Sequence, residues 1–317
     1  FELKESFSCK DERINQIFNI CKHTLDLCIQ NNIWDGIKRD RLVWIGDMEP
    51  EIHSILHIYG NIKQVESSIC SAENHNPLPG WMNGIPSYSM WYLLINAEVL
   101  EFSKDKAYFD RHKPYADRVI KLLNKAITNE GSLDFTKVDE CPSNSYFIDW
   151  PGNHGSDQER IDANKNLLIY VLRNYIRILS SYNYDVSLEK DMLNRLESTP
   201  TATPKLSQFA AFHYLVNKDD ASYEVLIKNG ANGLTTFMSY FILTAIRDYH
   251  GAEKAIEIMK EYYGAMLDRG ATTFFEDFNM KWLEGSGRID EMPKEGEKDL
   301  HGDYGAFCYV GYRHSFC

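Results

Sequence analysis

The amino-acid sequence predicts an all-α protein in which paired helices close into an (α/α)6 barrel. Apolar residues recur every three or four positions in about a dozen segments, which is the spacing of one helix face. Alternation of apolar and polar residues, the mark of a strand, is scarce. About twelve helices in 317 residues correspond to six helical hairpins arranged as a ring. An open helical solenoid is the alternative, but no internal repeat of about 34 or 40 residues supports it.

The first helix is predicted over residues 11–31, where Ile14, Ile17, Cys21 and Leu25 share one face. The same spacing of apolar residues continues along the rest of the chain. The further predicted helices cover residues 48–60, 62–72, 85–103, 105–127, 157–181, 187–196, 205–216, 219–228, 233–247, 251–267 and 303–315.

Two long stretches, residues 128–156 and 272–302, lack this periodicity. Clusters of Gly and Pro interrupt the helical pattern at 77–80, 151–155 and 230–233. Long irregular segments within a compact domain usually serve a function. We therefore expect the functional residues to lie in or beside these stretches.

Composition excludes several classes of protein. The chain carries 34 basic and 46 acidic residues, for a net charge of −12, which argues against a nucleic-acid partner. With 44% hydrophobic and 25% charged residues it has the composition of a globular protein, and no apolar run is long enough for a membrane helix. We expect residues 1–317 to form a single domain. Because the chain begins at Phe1, we expect it to be part of a longer multidomain protein, and its compartment stays open.

The seven cysteines form no recognisable metal or disulfide pattern. They are Cys9, Cys21, Cys28, Cys70, Cys141, Cys308 and Cys317. Their number is odd, no CxxC pair occurs, and the ligand spacing of a zinc motif is missing. Free, buried thiols are therefore expected, without a metal.

The densest group of polar residues lies in segment 34–51 (WDGIKRDRLVWIGDMEPE). Its members are Asp35, Arg39, Asp40, Arg41 and Asp47, with Trp34 and Trp44 between them. One interpretation is a loop with internal salt bridges before a helix. The other is a cluster of carboxylates on an aromatic platform. Carboxylates accept hydrogen bonds from sugar hydroxyls and transfer protons, and indole rings stack on sugar rings.

Three further segments carry candidate site residues. Glu276 follows two aromatic residues in segment 270–279, where bulky neighbours favour desolvation of its carboxyl group. Asp149 and Trp150 end the first irregular stretch. His301 precedes the last predicted helix. A cap, a surface charge or a core histidine is the structural alternative for each of them.

Closure of the ring makes the first and last hairpins neighbours. Asp40, near the start, and Glu276, near the end, can then face each other across the mouth of the barrel. Two opposed carboxyl groups suit hydrolysis of a glycosidic bond, in which one protonates the leaving oxygen and the other activates water. A separation of about 6.5–9.5 Å would indicate inversion at the sugar.

These segments resemble a known family. Segment 35–47, with the pattern D-x-x-x-R-D-R-x-x-W-x-G-D, resembles the signature of the α-L-rhamnosidases of glycoside hydrolase family 78. Segment 270–276 (GATTFFE) is similar to that family's GATTIWE, and Asp149–Trp150 to its Gly-Asp-Trp element. His301, followed closely by Tyr304, is similar to its Asn-His-Tyr-Ala stretch. The matches keep the family's order from residue 35 to about residue 311.

The resemblance implies an (α/α)6 catalytic domain that releases terminal α-L-rhamnose from a carbohydrate substrate with inversion, without a metal or cofactor. Asp40 takes the position of the general acid, and Glu276 that of the general base. The positions that bind sugar or line the pocket are Asp35, Arg39, Trp44, Asp47, Trp150 and His301. The family also implies flanking β-sandwich domains in the full-length protein.

The chain departs from the family pattern at four positions. Asp40 replaces a Glu, Val43 a small residue, Ile148 a Gly and Phe275 a Trp. Three alternatives therefore stand beside the rhamnosidase hypothesis. They are a barrel glycosidase for another terminal sugar, an inactive homologue that binds glycans, and a helical interaction scaffold.

Overall fold

The structure, a computed structural model, describes residues 6–36, 40–139, 141, 145–149, 154–276, 278–292 and 294–297. Within these ranges the chain forms eleven α-helices, and its only β-structure is two isolated β-bridges. The prediction of an all-α fold is confirmed. In the same ranges, none of the helices is both long enough and apolar enough to span a lipid bilayer.

The helices are α1 (Glu12–Cys28), α2 (Ile45–Ile58), α3 (Lys63–His75), α4 (Pro86–Ser103), α5 (Lys106–Ala126), α6 (Asp157–Ser181), α7 (Ser187–Glu197), α8 (Ser207–Asn217), α9 (Asp220–Asn229), α10 (Ser239–His250) and α11 (Ala252–Asp268). Short 3-10 turns lie at Met82–Gly84, Phe135–Lys137, Gly230–Gly233 and Met280–Leu283. Each of the two long irregular stretches, 128–156 and 272–302, therefore contains a short helical turn.

The helices form two layers. The even-numbered helices α2, α4, α6, α8 and α10 pack against one another in that order, and each of α4, α6, α8 and α10 also packs against the odd-numbered helix that follows it. In α4, 14 of 18 residues are buried, whereas in α5 only 10 of 21 are. A helix that is apolar on all sides lies inside a protein, and one with a single apolar face lies at its surface. The even-numbered helices therefore form the inner layer.

The two ends of the described chain meet. Helix α1 packs against α11, and the Arg13 guanidinium donates a hydrogen bond of 2.7 Å to the carbonyl oxygen of Gly264. Beyond α11, the backbone N–H of Phe274 donates to Thr24 Oγ1 of α1 at 3.2 Å. Segment 270–276 is thus held against the first helix.

Several helix boundaries differ from those predicted. Helix α2 begins at Ile45 rather than residue 48, and the Ile45 N–H donates to Asn83 Oδ1 at 3.0 Å. This cap comes from a residue distant in sequence, so local patterns give no sign of it. Helix α10 begins at Ser239 rather than residue 233. The predicted helix 303–315 lies outside the described residues.

The described cysteines form no disulfide with one another. Cys21, Cys28 and Cys141 are buried, but Cys9 and Cys70 are exposed. The expectation of burial was wrong for those two, because each lies on the solvent side of its segment.

Candidate active site

The centre of the candidate site is the side chain of Tyr88, in the first turn of the inner helix α4. Pro86, whose fixed φ suits the first helical position, starts this helix. The Tyr88 ring meets the edge of Trp44 at 6.1 Å between centroids and that of Phe147 at 6.3 Å. Gly46 of α2 lies so close that a Cβ atom there would overlap the Tyr88 ring. Two separate segments, the start of α2 and the segment of Phe147, therefore converge on one tyrosine.

Four acidic side chains influence the pKa of Tyr88. Burial raises the pKa of its phenol well above the ordinary value, and the negative charges of Asp47, Asp149, Glu276 and Asp35 raise it further. All four acidic residues are themselves buried. The structure thus brings together Asp35, Asp47, Asp149 and Glu276, each of which is a candidate from the sequence.

A closed loop leads from Asp35 to α2. The Asp35 backbone N–H donates to the carbonyl oxygen of Leu42 at 3.2 Å, and the Leu42 N–H donates to Asp35 Oδ1 at 3.0 Å. Asp40 lies in this loop and is exposed, with φ 53°, and Arg41 follows with φ 56°. Left-handed backbone is uncommon outside glycine and often marks a functional site. Asp40 therefore lies on an exposed part of the segment before α2.

Asn83 connects this loop to the 3-10 turn before α4. Its Nδ2 donates to the carbonyl oxygen of Val43 at 3.1 Å, while its Oδ1 caps Ile45. Its own backbone N–H donates to Asn76 Oδ1 at 2.8 Å. Asn83 has φ 50°, a conformation that asparagine tolerates better than most residues. One side chain thus fixes the approach to α2, which carries Asp47.

The other two carboxylates have separate supports. Asp149 Oδ2 accepts a hydrogen bond of 2.5 Å from Thr235 Oγ1, in the segment before α10. Glu276 is buried, and so are the rings of Phe275 before it and Phe278 two residues after it. The carbonyl oxygen of Phe278 accepts a hydrogen bond of 3.0 Å from the Tyr262 hydroxyl of α11. The site therefore draws on both ends of the chain.

The predicted site residues are placed as follows. Asp35, Asp47 and Glu276 are buried, Trp44 is half-buried and Asp40 is exposed. Arg39, Trp150 and His301 lie outside the described residues. The pairing of Asp40 with Glu276 stays a prediction.

Sequence reasoning missed Tyr88, Asn83 and Thr235. Tyr88 lies in an apolar stretch, where an aromatic residue is read as core. Asn83 precedes a glycine, which is a turn signal, but the target of its side chain is more than 35 residues away. Thr235 is set against Asp149 only by the fold.

Two sets of side chains in the described part could hold a metal ion. They are Glu49, His53 and Glu98, and Glu66, Cys70 and His112. Neither set includes a predicted site residue.

The fold is similar to that of solved rhamnosidases. A rhamnosidase from Klebsiella oxytoca with rhamnose bound matches with a TM-score of 0.72 and 20% identity, over 96% of this chain and 63% of that one. A family 78 rhamnosidase from Bacillus sp. GL1 matches with a TM-score of 0.72 and 16% identity, over 98% of this chain and 34% of that one. The chain therefore spans less than two thirds of either protein's length. No model of a known protein family matches the chain. No curated protein matches it either.

The comparison establishes the fold, and the chemistry depends on the side chains. Four buried carboxyl groups near a phenol that stays protonated at neutral pH offer several acceptors and one donor. Sugar hydroxyls can satisfy both kinds of group. Trp44 and Phe147 add apolar surface against which a sugar ring can pack.

Proposed function

We propose that the chain is the single catalytic domain of an inverting glycosidase that releases terminal α-L-rhamnose. The observation that carries the proposal is the cluster of Asp35, Asp47, Asp149 and Glu276 around Tyr88. The cluster lies in an all-α barrel whose fold is shared with a rhamnosidase that was solved with rhamnose bound. The motifs of segments 35–47 and 270–276 add support.

In this proposal Asp40 and Glu276 carry out the chemistry. Glu276 takes a proton from a water molecule as the water oxygen attacks the anomeric carbon. Asp40 gives its proton to the glycosidic oxygen as the bond between that oxygen and the anomeric carbon breaks. Attack on the face opposite the leaving group inverts the configuration.

The other residues hold the sugar. Asp35 and Asp47 accept hydrogen bonds from its hydroxyl groups, and Trp44 forms part of the pocket wall. Arg39, Trp150 and His301 have the same kind of role in the proposal. Flanking β-sandwich domains are proposed for the full-length protein, and the greater length of the two solved rhamnosidases supports them.

The test is hydrolysis of aryl α-L-rhamnosides. We expect Glu276→Gln to lower kcat by about 10²- to 10⁴-fold while the protein stays folded, because the attacking water loses its base. Glu284→Gln, at an exposed carboxylate eight residues further on, is the matched control and should keep full activity. Proton NMR of the first product should show the β anomer. Release of the α anomer, or full activity of Glu276→Gln, would contradict the proposal.

Substrates with different leaving groups test whether Asp40 is the general acid. Asp40→Asn should lose most activity on a phenyl rhamnoside and much less on a 4-nitrophenyl rhamnoside, since a good leaving group needs little protonation. Glu276→Gln should lose activity on both substrates alike. An equal loss for Asp40→Asn on both would remove Asp40 from the role of acid.

A glycan-binding protein without turnover is the second candidate. The observation in its favour is the exposed position of Asp40, whose side chain is one methylene shorter than glutamate. Measurable binding of rhamnose together with no hydrolysis across a panel of aryl glycosides would favour it. Turnover of a different aryl glycoside in that panel would instead identify another terminal sugar as the substrate.

A further inference from the structure

A cluster of ligand-type side chains lies in the outer layer of the barrel, between α3 and α5. Glu66 and Cys70 are one turn apart on α3, and His112 reaches them from α5. A Glu66 carboxylate oxygen, Cys70 Sγ and a ring nitrogen of His112 all lie within 4.8 Å of one another. The cluster shares no residue with the candidate active site.

His112 is held in the orientation that a metal ligand needs. The residue is only 2% exposed, and its Nδ1 lies 2.8 Å from Glu73 Oε1. The same Glu73 oxygen accepts a hydrogen bond of 2.5 Å from the Tyr92 hydroxyl. A carboxylate acceptor at Nδ1 places the ring proton there and leaves the lone pair on Nε2. Histidine ligands of metals in proteins are fixed by the same kind of partner.

The Nε2 atom of His112 is buried and has no hydrogen-bond partner within the described part of the chain. The nearest charged group, Glu66 Oε1, is 3.8 Å away, too far for a hydrogen bond. Leaving a buried lone pair unsatisfied costs about 1–3 kcal/mol. Since Glu66 Oε1 and Cys70 Sγ lie close to this ring, a cation between the three side chains would satisfy the lone pair.

We propose that Glu66, Cys70 and His112 bind a zinc ion, with water as the fourth ligand. One thiolate, one imidazole and one carboxylate are the three donor types that zinc accepts. Neighbouring ligand atoms of a tetrahedral zinc ion are roughly 3.3–3.8 Å apart, so small side-chain movements close the site. The ligands come from two helices, which is why the sequence shows no zinc motif.

Zinc binding would change the partners of Glu66 and Cys70. Without the ion, Arg111 donates two hydrogen bonds to Glu66 Oε1, at 2.8 and 2.6 Å. Burial, together with the charges of Glu73 and Glu66, raises the pKa of Cys70, so its thiol is protonated at neutral pH. On binding, the sulfur–zinc bond forms and the thiol proton passes to solvent, with no change of oxidation state. Arg111 competes with zinc for Glu66.

The experiment uses the purified full chain after chelation and dialysis. We expect one zinc ion per chain by isothermal titration, and cobalt in its place should give the near-ultraviolet absorption of a cobalt–thiolate bond. Cys70→Ser should abolish that absorption and weaken zinc binding at least tenfold. Cys9→Ser, at the other cysteine that is exposed among the described residues, is the matched control and should change neither. Absence of the absorption, or its persistence in Cys70→Ser, overturns the proposal.

Two further variants separate a zinc ligand set from a purely structural cluster. Arg111→Ala should bind zinc more tightly than the wild type, because it removes the competitor for Glu66. Glu73→Gln should weaken binding by about 10- to 100-fold through the orientation of His112. Circular dichroism checks that each variant is folded. Unchanged zinc affinity in both folded variants would contradict the assignment.

Discussion

Gly46 shows how closely the candidate site is packed at the level of one residue. It is the second residue of α2, and the Tyr88 ring fills the space where a side chain would begin. Its φ is not left-handed, so the need for glycine comes from contact and not from backbone strain. The glycine that the motif in segment 35–47 contains therefore has a physical reason. It allows Tyr88 to approach Asp47 and its neighbours.

Gly46→Ala should disturb the site more than it disturbs the barrel. The added methyl group must displace the Tyr88 ring, and overpacking of this kind costs about 1–3 kcal/mol of unfolding free energy. We expect at least a tenfold loss of kcat/KM on an aryl α-L-rhamnoside. The control is Gly80→Ala, where the new methyl group meets only the Pro77 carbonyl oxygen at 3.2 Å. Equal behaviour of the two variants would show that Tyr88 has room to move.

At the scale of elements, the start of α2 depends on Asn83. The Asn83 side chain donates to Val43 and accepts from Ile45, so it bridges the Asp40 loop to the turn before α4. Trp44, in the N-cap position, makes no side-chain cap of its own. The position of Asp47, in the first turn of α2, is consequently set by a residue from another segment.

Asn83→Ala should destabilise the protein by about 1–3 kcal/mol, because two partly buried backbone groups lose their partner. We also expect kcat/KM on the rhamnoside to fall severalfold, since the approach to α2 is no longer fixed. Urea unfolding and steady-state kinetics measure the two effects. Asn183→Ala is the matched control, because Asn183 also has a left-handed backbone (φ 62°) but lies exposed after α6. If Asn183→Ala costs as much, backbone strain and not the clamp explains the result.

The sequence predicts elements better than it predicts their ends. Helix α4 is predicted over its whole length, because its apolar run and Pro86 are local signals. The start of α2 is missed by three residues, since its cap comes from Asn83. The same reason hides Tyr88 and Thr235 from sequence reasoning. Their contribution depends on the fold, which sets them beside acidic residues from distant segments.

For the whole molecule, ring closure was the part of the prediction on which the site depended. Helix periodicity and a count of about twelve helices predict it, because no internal repeat supports an open solenoid. The contact between Phe274 and Thr24 brings the end of the described chain to its first helix. The distance across the mouth from Asp40 to Glu276 depends on loop geometry, for which periodicity gives no signal.

The inside of the ring holds a second acidic cluster, away from Tyr88. His53 Nε2 lies 3.1 Å from Glu49 Oε1 and 3.2 Å from Glu98 Oε2, and its ring stacks on Tyr240 of α10. Burial lowers the pKa of His53, but the charges of Glu49 and Glu98 raise it by more, to about 9. Burial raises the pKa of Glu98 to about 8, with Glu49 adding to the shift and His53 opposing it.

These shifts predict that the barrel loses stability as the pH rises. The contribution of His53 to the stability of the fold is complete below about pH 6.5, its pKa in the unfolded chain. This contribution is lost as the pH rises through about 9, its pKa in the native state. Glu98 holds its proton in the native state up to about pH 8, whereas the unfolded chain releases that proton near pH 4.5. Both groups make the native state bind more protons between these limits. For each extra proton that the native state binds, the unfolding free energy falls by about 1.4 kcal/mol as the pH rises by one unit.

Urea unfolding between pH 5 and pH 9.5 tests this expectation. The unfolding free energy of the wild type should fall across the range, and Glu98→Gln should flatten the part below about pH 8, because its side chain no longer titrates. Glu224→Gln, at an exposed carboxylate of α9, should leave the curve unchanged. A wild-type stability that rises with pH over this range would mean that Glu98 is ionised in the folded protein. In that case Glu98 would form an ion pair with His53 inside the barrel, whereas we expect its carboxyl group to be protonated.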